Sequence, residues 1–103
     1  MRSRPHDEAM AQIYRDDPEL AVHVLNCIFE DADGDQGELL CVLRHLVKAF
    51  GGIQVVAEKA NLNPTQFYRT LSSSGNPTLS SLCAILKVMG LHLAVQPYPD
   101  APN

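Results

Sequence analysis

Apolar residues recur at spacings of three and four along most of the chain and alternate with polar ones in a single short stretch, a pattern that predicts a helical domain. Ala9, Met10 and Ile13 predict a short helix over 6–14, interrupted by the polar run Arg15-Asp16-Asp17-Pro18. Asp17, Pro18 and Glu19 then open a second helix. The Asp17 carboxylate can accept from orphan amides, Pro18 needs no donor at the first position, and Glu19 favours the positive end of the dipole. Leu20, Ala21, Val24, Leu25 and Ile28 give this helix one apolar face up to about Phe29, and Glu30-Asp31-Ala32-Asp33-Gly34 stops it.

Asp35 and Glu38 form a capping arrangement ahead of Leu39, Leu40, Leu43, Leu46, Val47 and Phe50, with Gly51-Gly52 as a left-handed stop. This third helix carries enough apolar residues to be the central one, leaving Arg44, His45 and Lys48 for its solvent side. Ile53, Val56, Ala57 and Ala60 mark a short fourth helix. Asn61-Leu62-Asn63 turns the chain, and Asn63, Pro64 and Gln66 open a fifth helix running through Phe67 to about Leu71. Asn61 stands where a left-handed backbone is expected, which asparagine tolerates. After the polar loop Ser72-Ser73-Ser74-Gly75-Asn76-Pro77, Thr78 caps a helix striped by Leu79, Leu82, Cys83, Leu86 and Met89 and ended by Gly90. Leu91 to Gln96 alternates like a strand until Pro97, Pro99 and Pro102. A lone strand has open edges, so it predicts pairing with another chain.

Composition narrows the class. The 103 residues are 46% hydrophobic and 19% charged, the proportions of one ordinary globular domain. Loose ends are expected at 1–5 and 98–103, with the domain over 6–97. No stretch approaches the roughly 20 apolar residues that span a bilayer, and no apolar run follows the two N-terminal arginines, so a cytoplasmic protein without membrane contact is expected. The three cysteines, Cys27, Cys41 and Cys83, sit inside apolar helical patterns and read as reduced, buried small hydrophobes. The net charge of −4 is uneven: residues 1–38 hold ten acids and three bases, residues 39–103 five bases and two acids. The later part suits a polyanion, the acidic front a basic protein or solubility.

The helix, short turn and helix over 53–71 is the architecture of a helix-turn-helix DNA reader, whose second helix lies in the major groove. Ala57 is small enough for a close crossing, Ile53, Val56 and Leu62 fix it, and Phe67 anchors the second helix. Thr65, Gln66, Tyr68 and Arg69 are left for the exposed side, where Arg69 can make a bidentate contact to guanine and Thr65 a methyl or hydroxyl contact. The amides around Gly52 and Ile53, and the loop with Ser72 and Ser73, are candidates for phosphates. Only Lys59 and Arg69 are basic in this stretch, so a single copy would bind weakly and a dimer is needed to double the contacts. A helical hairpin that merely packs is the alternative.

The stretch Ile53 to Leu71, followed by Gly75-Asn76-Pro77-Thr78-Leu79 and Leu86-Lys87-Val88-Met89-Gly90-Leu91, resembles the phage-repressor-type, XRE-like helix-turn-helix proteins. With Leu25-Asn26, Glu30-Asp31, Leu71-Ser72 and the tail from Leu91 to Pro97, it is similar more narrowly to the probable addiction module antidote proteins, relatives of the HigA antitoxins, over about residues 7 to 97. The resemblance implies an all-α, five- to six-helix lambda-repressor-like domain with a short C-terminal β-strand. It also implies a type II antitoxin that silences a RelE/HigB-like ribonuclease toxin and represses the shared operon as a homodimer. The base-contacting positions of such repressors fall here on Pro64, Thr65 and Arg69. Two departures stand out: Asn61 replaces the usual glycine of the turn, and Ile53 replaces a polar residue that often contacts DNA.

Other constellations are thin. His23 and Cys27, four apart on one helix, are at most half a metal site, and the histidine reads as satisfied or facing solvent. Asp31, Asp33 and Asp35 alternate like part of a calcium loop, but Glu38 arrives too early for one. No nucleophile or phosphate-loop signature is present, so neither catalysis nor a cofactor is expected. The acidic helices, Asp17 to Glu30 above all, are the candidate surface for a basic toxin. The rival readings are a protein-interaction module that keeps the fold without reading DNA, and a plain regulator without a toxin.

Overall fold

The computed structural model describes residues 5–31 and 34–97. Six helices occupy them: α1 (Pro5–Asp16), α2 (Pro18–Glu30), α3 (Gln36–Ala49), α4 (Ile53–Ala60), α5 (Pro64–Thr70) and α6 (Leu79–Val88). Side-chain caps set four of their starts. Asp17 accepts from the Leu20 amide at 3.3 Å, Asp35 from Glu38 at 3.2 Å, Asn63 from Gln66 at 3.1 Å and Thr78 from Ser81 at 3.1 Å. Asn61 takes the expected left-handed conformation at φ 58°. It lets the Leu62 amide reach back to the Ala57 carbonyl at 2.8 Å, closing α4 and aiming the chain into α5.

α3 is the central rod: Leu40, Val42, Leu43, Leu46 and Val47 are all buried. α1, α2 and α4 pack on it, and α4 in turn supports α5 and α6. The chain bends by 94° between α3 and α4 at Gly51-Gly52. No single helix among the described residues is long and apolar enough to cross a membrane.

Several sequence expectations are corrected by this packing. No strand forms among the described residues; 91–97 is an irregular tail in which Leu91 and Leu93 half-bury on the core while Val95 is wholly exposed. The alternation therefore reflects a tail laid over helices, and the edge-pairing argument for a dimer falls away. α1 buries Ala11 and Tyr14 rather than Ala9 and Ile13. In α6 the buried stripe passes through Ile85, Leu86 and Met89, which leaves Leu79 71% exposed and turns Cys83 outward. Cys27 is also exposed and Cys41 only half-buried, so the cysteines are free thiols but not core hydrophobes. The loose ends at 1–5 and 98–103 lie outside the described residues apart from Pro5, the first residue of α1; Asp33 of the acidic turn lies outside them too.

His45 departs most from its predicted place: it is 4% exposed, under α1. Its Nε2 lies 3.0 Å from Asp7 Oδ1 and 3.9 Å from Cys41 Sγ, and the His6 ring meets it edge-on. Nδ1 is buried without a partner. Beside it, burial pushes the Tyr14 phenol pKa up, with Cys41 adding to the shift. Polar clamps complete this seam. Lys48 pairs with Glu8 at 3.0 Å, and the Arg15 guanidinium donates to the Lys48 and Ala49 carbonyls at 3.2 and 3.1 Å, where it also meets the negative end of α3. α1 has only two buried residues, so these polar contacts carry much of its docking. Asp7→Ala would leave the buried imidazole with only the weak Cys41 thiol contact at Nε2 and is expected to cost about 1–2 kcal/mol, a fall in melting temperature of about 5–15 °C readable by circular dichroism.

Candidate nucleic-acid interface

α5 has seven residues, too few to be helical alone, so its position is imposed from outside. Phe67 and Leu71, 2% and 1% exposed, fix its inner side in the core, and Pro64 is half-buried. At 100° per residue the opposite side is centred on Thr65 and Arg69, one turn apart, with Gln66 and Tyr68 on its flanks. All four are exposed. Gln66 also borders a small cleft of about 60 Å³ shared with Leu62, Thr70 and Ser81, which orients that flank toward α6. No bond or ion pair engages the Arg69 guanidinium among the described residues.

The far end of α5 is heavily tied. Thr70 Oγ1 donates to the Gln66 carbonyl at 2.9 Å, Ser72 Oγ to the Arg69 carbonyl at 2.6 Å, and the Arg44 guanidinium to the Leu71 carbonyl. Ser72 is half-buried with its hydroxyl proton committed to that carbonyl, while Ser73 stays exposed. At the start of α4 the Gly52 amide is already donated to the Val47 carbonyl at 2.9 Å, so it is not free for a phosphate as the sequence suggested. α4 has no side-chain cap, and the first ladder bond comes from Val56. The amides of Ile53, Gln54 and Val55 are therefore the ones directed outward.

The profile of the family described as probable addiction module antidote protein matches residues 7–97. The chain belongs to that family. An antidote protein of this kind has an antitoxin-like, regulatory role and a toxin as its partner. No curated protein and no solved structure matches the chain.

Two residues make contacts at the end of α5 that the sequence pattern does not reveal. Arg44 is exposed on the solvent side of α3, as expected, but its guanidinium also closes the end of α5 from 27 positions away. Gly75 lies in the expected loop, and a Cβ there would lie 1.8 Å from the Thr70 carbonyl oxygen. The local signal for Gly75 was its place between three serines and Asn76-Pro77; Arg44 left none, because periodicity cannot distinguish a solvated arginine from one that caps a distant helix. The His23–Cys27 pair does form, with Sγ 3.6 Å from Nε2, and among the described residues no third ligand joins it.

Proposed function

We propose that this antidote protein is a cytoplasmic type II antitoxin. It represses its own operon as a homodimer, and it neutralises a RelE/HigB-like toxin. The observation that carries the DNA half is the outward side of α5. There an uncommitted arginine stands one turn from a threonine, on a helix clamped at both ends and followed by the exposed Ser73. Pro64, Thr65, Gln66, Tyr68 and Arg69 would face base edges, with the α4 amides from Ile53 onward and Ser73 on phosphates. Two copies are required because one helix-turn-helix brings only Lys59 and Arg69 as bases.

The test is a fluorescence-anisotropy titration on the duplex just upstream of the gene, with a salt series. Arg69→Ala is expected to weaken binding by about 10- to 100-fold, the worth of one bidentate base contact. The second reading, an interaction module that retains the fold without reading DNA, is favoured by the net charge of −4. Absence of binding at low salt would decide for it, and binding unchanged by Arg69→Ala would remove Arg69 from the site. A single-chain mass in solution, unchanged on adding the duplex, would remove the dimer.

A further inference from the structure

The end of α2, the start of α3 and the start of α6 enclose an open groove of about 270 Å³. Ile28, Leu39 and Leu82 line it with apolar surface, and Phe29 at its side is 41% exposed. Asp31 and Asp35 line the same groove. Its volume falls just short of the about 300–1,000 Å³ of small-molecule sites, and it is open rather than enclosed, which suits large side chains presented by another protein. Three residues before Leu82 on α6, Leu79 adds apolar surface that the fold does not cover.

The charge around the groove selects the occupant. Asp31 and Asp35 line it, Glu30 and Glu38 adjoin it in sequence, and the chain has no lysine or arginine between Arg15 and Arg44. A second copy docking symmetrically here would bring these acids against their own equivalents, and a nucleic acid would be repelled outright. A segment that combines lysine or arginine with a large apolar side chain is attracted by the rim and desolvated by the floor.

We infer that this groove is the surface by which the antidote holds its toxin, through a basic segment whose apolar side chains insert between Phe29, Leu39 and Leu82. The inference rests on the antitoxin half of the proposed function and is independent of the DNA half. Asp35 caps α3 and is left intact in the test; Phe29 and Glu30 are exposed and can be changed without disturbing the core.

The probe is the tagged product of the adjoining reading frame, co-expressed with the antidote and then titrated at rising salt. The double variant Phe29→Lys/Glu30→Lys is expected to lose at least about 100-fold in affinity, while Glu30→Lys alone loses less and flattens the salt dependence. Melting should stay as in the parent protein, and Arg69→Ala should capture the partner undiminished. If both lysine variants bind the partner as tightly as the parent, the groove is the wrong surface and the antitoxin reading stands. If the parent protein itself does not bind that partner, the antitoxin reading fails and the groove proposal with it.

Discussion

Truncating Phe67 to alanine is expected to lower stability by about 3–5 kcal/mol, the cost of removing a fully buried aromatic ring and leaving a cavity. Against a total of about 5–15 kcal/mol for a domain of this size, that is a large share. The loss is not spread evenly. α5 is two turns long, its inner side consists of Phe67 and Leu71, and the Asn63 cap and the Arg44 bond only orient what those two residues hold. Without the ring, α5 should detach at lower free energy than the α1–α3 body, because locally opened segments are those with the fewest buried apolar contacts. A urea titration followed by circular dichroism should show the midpoint lowered by about 2 M. Phe67→Leu, which refills most of the volume, should recover all but about 1 kcal/mol. A midpoint unchanged in the alanine variant would mean that α5 is not anchored through this ring.

Local rules sufficed for the helix boundaries, and the physical reason is that capping is a contact between residues three apart. Asp17, Asp35, Asn63 and Thr78 each bond the third amide onward, as their neighbours in sequence foretell. The orientation of each helix about its axis was harder to read. α6 offers apolar residues on nearly every side, so periodicity alone chose Leu79 and Cys83 where packing chose Ile85. Polarity places His45 outward, although Asp7, 38 positions earlier, supplies the partner that makes its burial tolerable. The tail after Gly90 alternates in polarity because one side of it rests on the core, and alternation carries no information on whether a ladder partner exists.

For the candidate interface the division is similar. The exposure of Thr65, Gln66, Tyr68 and Arg69 followed from helix geometry once Phe67 was taken as the anchor. The status of Gly52 and Ser72 is set by local bonds at helix ends, where each spends a donor on a carbonyl five and three positions back, Val47 and Arg69. The acidic run around the turn before α3 was plain in the sequence as charge. Its apolar companion groove was not, because Leu82 joins Ile28 and Leu39 from a helix more than 40 positions away.

The other substitution expected to be severe is the smallest. Gly75 lies where the loop after α5 doubles back across the end of that helix: a Cβ would fall 1.8 Å from the Thr70 carbonyl oxygen and 2.9 Å from that of Arg69. Both obstacles are backbone, so no side-chain rearrangement can relieve the overlap, and either the loop or the last turn of α5 must move by more than an ångström. The move also breaks the bond from Gln36 Nε2 to the Gly75 carbonyl, 2.7 Å long, and the 2.8 Å bond from the Gly75 amide to Ser72. Lost hydrogen bonds at about 1 kcal/mol each, added to overpacking at about 1–3 kcal/mol, put Gly75→Ala at roughly 3–5 kcal/mol. For a domain of this length that is a melting temperature lower by roughly 12–40 °C. The adjacent Asn76→Ala, at an exposed position, should melt close to the parent protein. The distinguishing result is their contrast. A steric cause predicts that alanine, serine and valine at position 75 are all poorly tolerated, each bearing a Cβ, and that Gln36→Ala recovers none of the loss. Equal melting of Gly75→Ala and Asn76→Ala would show that the loop does not pass over α5 in this way.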